Sequence, residues 1–257
     1  MSEQKGIKSV EKVKEGAQFA AHAETVPSSV WRYRAVLFQV GLFLVAGAFA
    51  VLTFLVKTMP SFAIDLKITR AIQLINFPFF ALLMSLISWP GFGPQSMIIA
   101  GLIISVVYGF GLHWEAVMVL IAAVFSTAIN VLVKDLVQRP RPTSGMVNVT
   151  DILNSYSFPS GHVMFYLGFF GFIGFLTFSL LKPSLKRNLL LVLLGGLVAL
   201  IGVSRVYLGE HWVSDVLGSY LLGSLTLVAS IQLYRWGKTR FFVHQTVAAA
   251  EPHHRAV

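Results

Sequence analysis

Long apolar runs separated by short polar breaks dominate the chain. They fall at residues 35–56, 95–112, 114–133, 163–181, 189–207 and 213–234. Each is near the length at which a helix, rising about 1.5 Å per residue, crosses a hydrocarbon layer of about 30 Å. The pattern predicts an all-α, polytopic membrane protein with six transmembrane helices. A further stretch, residues 77–89, holds only thirteen mostly apolar residues between Asn76 and the breaker string Pro90-Gly91-Phe92-Gly93-Pro94. A helix of that length reaches about 20 Å, so an interfacial or re-entrant segment is expected there.

Composition supports the lipid-solvated reading: 56% of the 257 residues are apolar and 12% charged. A soluble domain carries about 25% charged residues. The chain has no cysteine, which excludes a disulfide framework, a thiolate nucleophile and metal sites built on sulfur. The surplus of 20 Lys and Arg over 11 Asp and Glu is explained by membrane topology and does not call for a nucleic-acid partner. With six spans, the tail 1–34, the turn 109–113, the loop 182–188 and the tail 235–257 share one side, which holds 13 basic residues against seven on the other. By the positive-inside rule both tails are cytoplasmic. The expected organisation is a cytoplasmic N-terminal tail (1–34), a six-helix membrane domain (35–234) and a cytoplasmic C-terminal tail (235–257).

Three polar clusters then stand out, all at span ends on the expected extracytoplasmic side. The first runs from Lys134 to Arg141-Pro142; alone, a basic cluster at a helix end is ordinarily a snorkelling anchor. The second is Pro159-Ser160-Gly161-His162 at the start of the fourth span, where Ser160 can cap the helix and unpaired N–H groups can receive an anion. The third is Ser204-Arg205, then His211 and, four residues later, Asp215. If one helix includes both, the carboxylate and imidazole share a face, and the carboxylate can hold the ring tautomer. Each also has a plain structural reading, as a capped helix start or a histidine–carboxylate pair.

Together the clusters offer three cations, a helix N-terminus and two histidines, the set that phosphoryl transfer requires. Acyl transfer leaves three cations without a matching charge, and carboxylates for a metal are few.

The order and spacing of these residues resemble the three-part signature of the type 2 phosphatidic acid phosphatase superfamily of membrane lipid phosphatases. The resemblance implies that His211 is the nucleophile of a phosphohistidine intermediate, oriented by Asp215, and that His162 protonates the leaving oxygen. It implies that Lys134, Arg141, Ser160, Gly161 and Arg205 bind the phosphate, with no metal or other cofactor. Arg139 is not a signature position, and a gate or headgroup contact is an available role for it. The implied substrates are undecaprenyl diphosphate, phosphatidylglycerol phosphate, phosphatidate and related lipid phosphates, reached from the bilayer of a bacterial cytoplasmic membrane. The reading from another class is a binding or transport protein that holds the lipid phosphate without hydrolysis; it would need the cations but neither histidine.

Overall fold

The computed structural model describes residues 28–59 and 61–243. Lys8, Lys12 and Lys14 of the first tail and the His253-His254 pair of the last lie outside the described residues, as does most of each tail. Every element is helical: α1 (Ser28–Thr58), α2 (Ala63–Gln73), α3 (Pro78–Ser88), α4 (Gly93–Gly109), α5 (His113–Val137), α6 (Gly161–Leu180), α7 (Leu185–Tyr207) and α8 (Val213–Lys238). A 3-10 turn, Trp89–Gly91, joins α3 to α4, and a π turn, Leu167–Gly171, interrupts α6.

By contact clustering the chain divides within α1, at Leu44. In the first unit the described residues form the N-terminal part of that helix, and Ser28 starts it earlier than the apolar pattern does. The second unit contains the rest of α1 and all later elements.

Among the described residues five helices are long and apolar enough to cross a membrane, or six if α3 with α4, bent by 67° at the turn, counts as one span. This is an integral membrane protein. The short segment, expected to be interfacial or re-entrant, is one arm of this bent pair. Helix α3 packs on α6 and α7, burying Met84, Ile87 and Ser88. Its carbonyls of Met84 and Ile87 accept hydrogen bonds from Ser204 Oγ and Tyr166 Oη. Carbonyls near a broken helix end lack or weaken their intrahelical partners, and in lipid only the protein can supply others.

The core lies between α3, α5, α6, α7 and α8, with Met84, Met118, Val119, Tyr166, Phe169, Phe172 and Ile201 at its centre. Outward-facing Val117, Leu120, Leu132, Phe178, Val192 and Leu193 remain exposed, as an apolar solvent permits. Where α6 crosses α5, a side chain at Gly168 would lie 2.5 Å from Ser126 Cβ and 3.0 Å from the Ala122 carbonyl. Gly168 thus lets the two helices approach closely, whereas a side chain at Gly171 would meet a Leu227 methyl at 3.2 Å and one at Gly174 nothing within 4 Å.

Helix α2 was not visible as an apolar run. It is amphipathic, with Asp65 and Thr69 buried, and Gln73 ties it to the backbone of Asn148 and Tyr207.

Candidate active site

Four successive helices alternate in direction, so the C-terminal ends of α5 and α7 and the N-terminal ends of α6 and α8 meet at one end of the bundle. Lys134 occupies the last turn of α5, which stops at Gln138 in a left-handed conformation (φ 56°). Pro140 and Pro142 then keep the strip extended, since neither can donate to a continuing helix. Lys134 Nζ donates to the carbonyl of Tyr156. Arg141 donates through Nε to Ser155 O at 2.7 Å and through Nη2 to Ser155 Oγ at 2.9 Å. Its Nη1 reaches Glu210 O at 2.6 Å and His211 Nε2 at 3.2 Å.

That last contact settles the state of the ring. An arginine only donates, so His211 Nε2 carries its lone pair toward Arg141 and the proton sits on Nδ1. Nδ1 lies 3.5 Å from Asp215 Oδ2, an ion-pair distance rather than a formed hydrogen bond. The helical i, i+4 geometry expected for this pair is not what joins them. Trp212 is the N-cap of α8, His211 precedes it, and Asp215 is the third residue of the helix, where its Oδ2 accepts from the Trp212 amide at 2.8 Å. A carboxylate in the first turn satisfies one of the helix's spare donors. The His211 ring is held well below the usual histidine pKa, first by burial and then by the charges of Arg141, Lys134 and Arg205. Arg141 is lowered by burial and raised in part by Asp215.

Arg205 is fully buried. Its Nη1 donates to Ser88 Oγ, its Nη2 pairs with the Glu210 carboxylate, and its guanidinium lies 5.5 Å from the centroid of Phe92. Phe92 also meets His162 edge-on at 4.9 Å. A side chain on Gly91 would lie 2.2 Å from His162 Cδ2. The break between α3 and α4 therefore forms a wall of the site. His162 is within electrostatic reach of Arg205, His211, Arg141 and Lys134. Ser160 stands at the N-cap of α6, but its hydroxyl makes no capping bond; its amide donates to Ser219 Oγ at 2.6 Å. Gly161 sits beside Asn130, whose Nδ2 donates to Pro159 O at 3.0 Å and fixes the turn.

All eight sequence-selected positions thus lie at one end of the bundle. At these positions Ser160 Oγ, His162 Nε2, His211 Nδ1 and Arg205 Nε are buried without a hydrogen-bond partner. Buried polar atoms are rarely left unbonded, and such a group marks a place where a ligand completes the bonding. Among the described residues no group of His, Asp and Glu is arranged to hold a metal.

Sequence reasoning missed Asp65, Ser88, Gly91, Phe92 and Ser157. Arg139, for which a gate or headgroup contact was an available role, is 1% exposed and ion-paired to Asp65 and Asp215. The only sequence signal for Asp65 is an acid amid the apolar positions of a short amphipathic stretch.

Known proteins resemble this chain in sequence and in fold. Residues 112–238 match the profile of the PAP2 superfamily. The chain is 29% identical over 179 residues to phosphatidylglycerophosphatase B of Bacillus subtilis, covering 69% of this chain and 86% of that protein. It is 31% identical over 126 residues to an undecaprenyl-diphosphatase of Sulfolobus acidocaldarius, covering 47% and 56% respectively. The crystal structure of a transmembrane PAP2-type phosphatidylglycerolphosphate phosphatase from Bacillus subtilis superposes with a TM-score of 0.66 at 28% identity, over 79% of this chain and 98% of that one. LpxE from Aquifex aeolicus shares the fold, with a TM-score of 0.54 at 22% identity over 68% and 98%. The chain is an integral membrane protein that carries a PAP2 superfamily phosphatase domain.

Proposed function

We propose that this protein is a metal-independent lipid phosphohydrolase that works through a phosphohistidine. The observation that carries the reading is the setting of His211 Nε2, deprotonated and aimed among Arg141, Lys134 and Arg205. Nε2 attacks phosphorus in line as the bond to the leaving oxygen breaks, and His162 delivers its proton to that oxygen. Water, giving a proton back to His162, then attacks the phosphohistidine, and phosphate leaves with His211 restored. Lys134, Arg141 and Arg205 neutralise the phosphoryl oxygens, with Ser160 Oγ and the Gly161 backbone as further donors. Asp215 supports the charge on the ring from its Nδ1 side.

The names of the relatives favour undecaprenyl diphosphate or phosphatidylglycerol phosphate as substrate. An apolar cavity of about 490 Å³ between α4 and α5, lined by Met97, Ala100, Ile104, Leu120, Val124 and Phe165, suits a lipid chain. A cavity of about 480 Å³ bordered by Arg141, Asp151 and Glu210 suits a polar headgroup. The charge distribution supports tails in the cytoplasm and a site on the extracytoplasmic face of a bacterial inner membrane.

The test is phosphate release by the detergent-purified protein in excess EDTA from undecaprenyl diphosphate, phosphatidylglycerol phosphate and phosphatidate, beside His211→Ala. Release that persists in EDTA and is lost in the variant is expected, and the fastest lipid identifies the substrate. Release by His211→Ala would overturn the phosphohistidine. Binding of the lipids without release by the folded protein would favour a carrier.

A further inference from the structure

Arg139 joins two carboxylates that are far apart in sequence. Its Nη2 lies 2.8 Å from Asp65 Oδ2 and its Nη1 2.5 Å from Asp215 Oδ1, all three side chains at most 2% exposed. Ser214 closes the cluster: its amide donates to Asp65 Oδ1 at 2.9 Å, its hydroxyl donates to Asp65 Oδ2, and its Oγ accepts from Arg139 Nη1 at 2.7 Å. Phe62 and Trp212 cover the guanidinium at 5.4 and 6.0 Å. The other oxygen of Asp215 accepts from Ser157 Oγ and the Trp212 amide and faces His211 Nδ1. Asp65 belongs to α2, outside residues 112–238 of the family match.

One arginine between one carboxylate and another leaves the cluster with a net negative charge. An unbalanced buried charge is costly unless something nearby meets it. Arg141 and Lys134 interact with the Asp215 charge from the phosphate side, and the His211 ring, 3.5 Å from Asp215, becomes cationic when Nε2 is phosphorylated. We infer that Asp65 is a positioning residue for the reaction: through Arg139 it fixes Asp215 behind His211, and by sharing the Arg139 charge it leaves that of Asp215 uncancelled.

The inference rests on His211 as the nucleophile. A mere staple of α2 to α8 would act through shape, whereas this role acts through charge, and the two separate in a pH profile. His211 is faced by Lys134 from α5, Arg141 from the strip after it, His162 from α6, Arg205 from α7, Glu210 from its own loop and Asp215 from α8. Asp65→Asn keeps the shape and an acceptor for Ser214 but removes one negative charge from behind the ring. Arg139→Gln removes one positive charge.

The full-length protein in detergent is assayed for phosphate release from phosphatidate in mixed micelles across the pH range, with His211→Ala as control. Asp65→Asn should lose about tenfold or more in kcat with KM changed less than about threefold, and the acid limb of kcat/KM should move to lower pH. Arg139→Gln should move the limb to higher pH. Asp65→Glu, which retains the charge but displaces it by a methylene, should lose kcat with the limb unmoved. An unmoved limb in either charge variant that folds, or wild-type kcat in Asp65→Glu, overturns the inference. Release by His211→Ala would instead overturn the nucleophile on which it rests.

Discussion

Gly91→Ala places a methyl group where the proposed acid already stands. The new Cβ would lie 2.2 Å from His162 Cδ2 and 3.0 Å from its Cγ and Nε2. Unstrained carbon contacts begin near 3.5 Å, so ring or turn must retreat by about 1.3 Å. The turn is anchored on one side by Tyr166 at the Ile87 carbonyl and by Arg205 at Ser88. The ring meets Phe92 edge-on at 4.9 Å, and its Nε2 has no hydrogen-bond partner to fix it. Leaving its rotamer costs about 0.5–1.5 kcal/mol, so the ring yields.

The consequence is uneven between folding and turnover. Overpacking of this kind costs about 1–3 kcal/mol of stability. Displacing a catalytic group by about 1 Å costs on the order of 10²-fold in rate, about 2.7 kcal/mol of barrier. Steady-state phosphate release by the purified variant should therefore show kcat down about 100-fold and KM within a few-fold. Thermal unfolding in the same detergent should change by a few degrees. In a His162→Ala background, where the ring is gone, the same substitution should cost almost nothing further. Wild-type kcat in a folded Gly91→Ala protein, or an equal loss when His162 is already absent, would refute the reasoning.

Asp215→Asn should retain lipid binding and lose on the order of 10³–10⁴ in kcat, measured beside wild type by phosphate release, since an amide cannot support a cationic His211 ring. Burial and the cations around His211 favour its neutral form, so lowering the pH through about 6.5 should leave the ring unprotonated. Corrected for the substrate's own ionisation near pH 6, kcat/KM should stay level there and fall only at lower pH; a limb at or above 6.5 would contradict this. Because the chain has no cysteine, single cysteines report topology cleanly. Ser144→Cys should react with an impermeant thiol reagent added outside intact cells and Ser184→Cys should not, the reverse placing the site in the cytoplasm.

The helices that carry the chemistry were legible because lipid imposes a length and a composition on every crossing. Residues 114–133 and 189–207 differ from α5 and α7 by at most four residues at either end. The candidate site was legible where its residues are near in sequence, as in the strip from Lys134 to Arg141 and the string from Ser160 to His162. What escaped was held by partners distant along the chain: Asp65 meets Arg139 across 74 residues and Ser214 across 149, and Ser88 meets Arg205 across 117. No local period encodes such a pairing. The His211–Asp215 spacing implied a shared helical face only if one helix held both; the helix begins between them, and the pair meets through the helix cap instead.

The missed residues have a physical role in common. The cations proposed to bind phosphate sit close together, Arg205 buried and Lys134 and Arg141 half-buried, where each repels the others with reduced screening by water. Such a set stays in place while the phosphate site is empty only if other groups hold it: Glu210 and Ser88 at Arg205, the Tyr156 carbonyl at Lys134, and the carbonyls of Ser155 and Glu210 at Arg141. Arg139, the one arginine of the strip paired with two carboxylates, stands behind the histidine rather than among the phosphate ligands. Ser88, which holds Arg205, and Asp65, which holds Arg139, come from α3 and α2, whose apolar content is too short to mark them as spans. Short helices at the end of the bundle can approach the site obliquely, which full-length spans packed side by side cannot. That freedom lets Asp65 reach the cluster behind His211 and lets Gly91 and Phe92 close over His162.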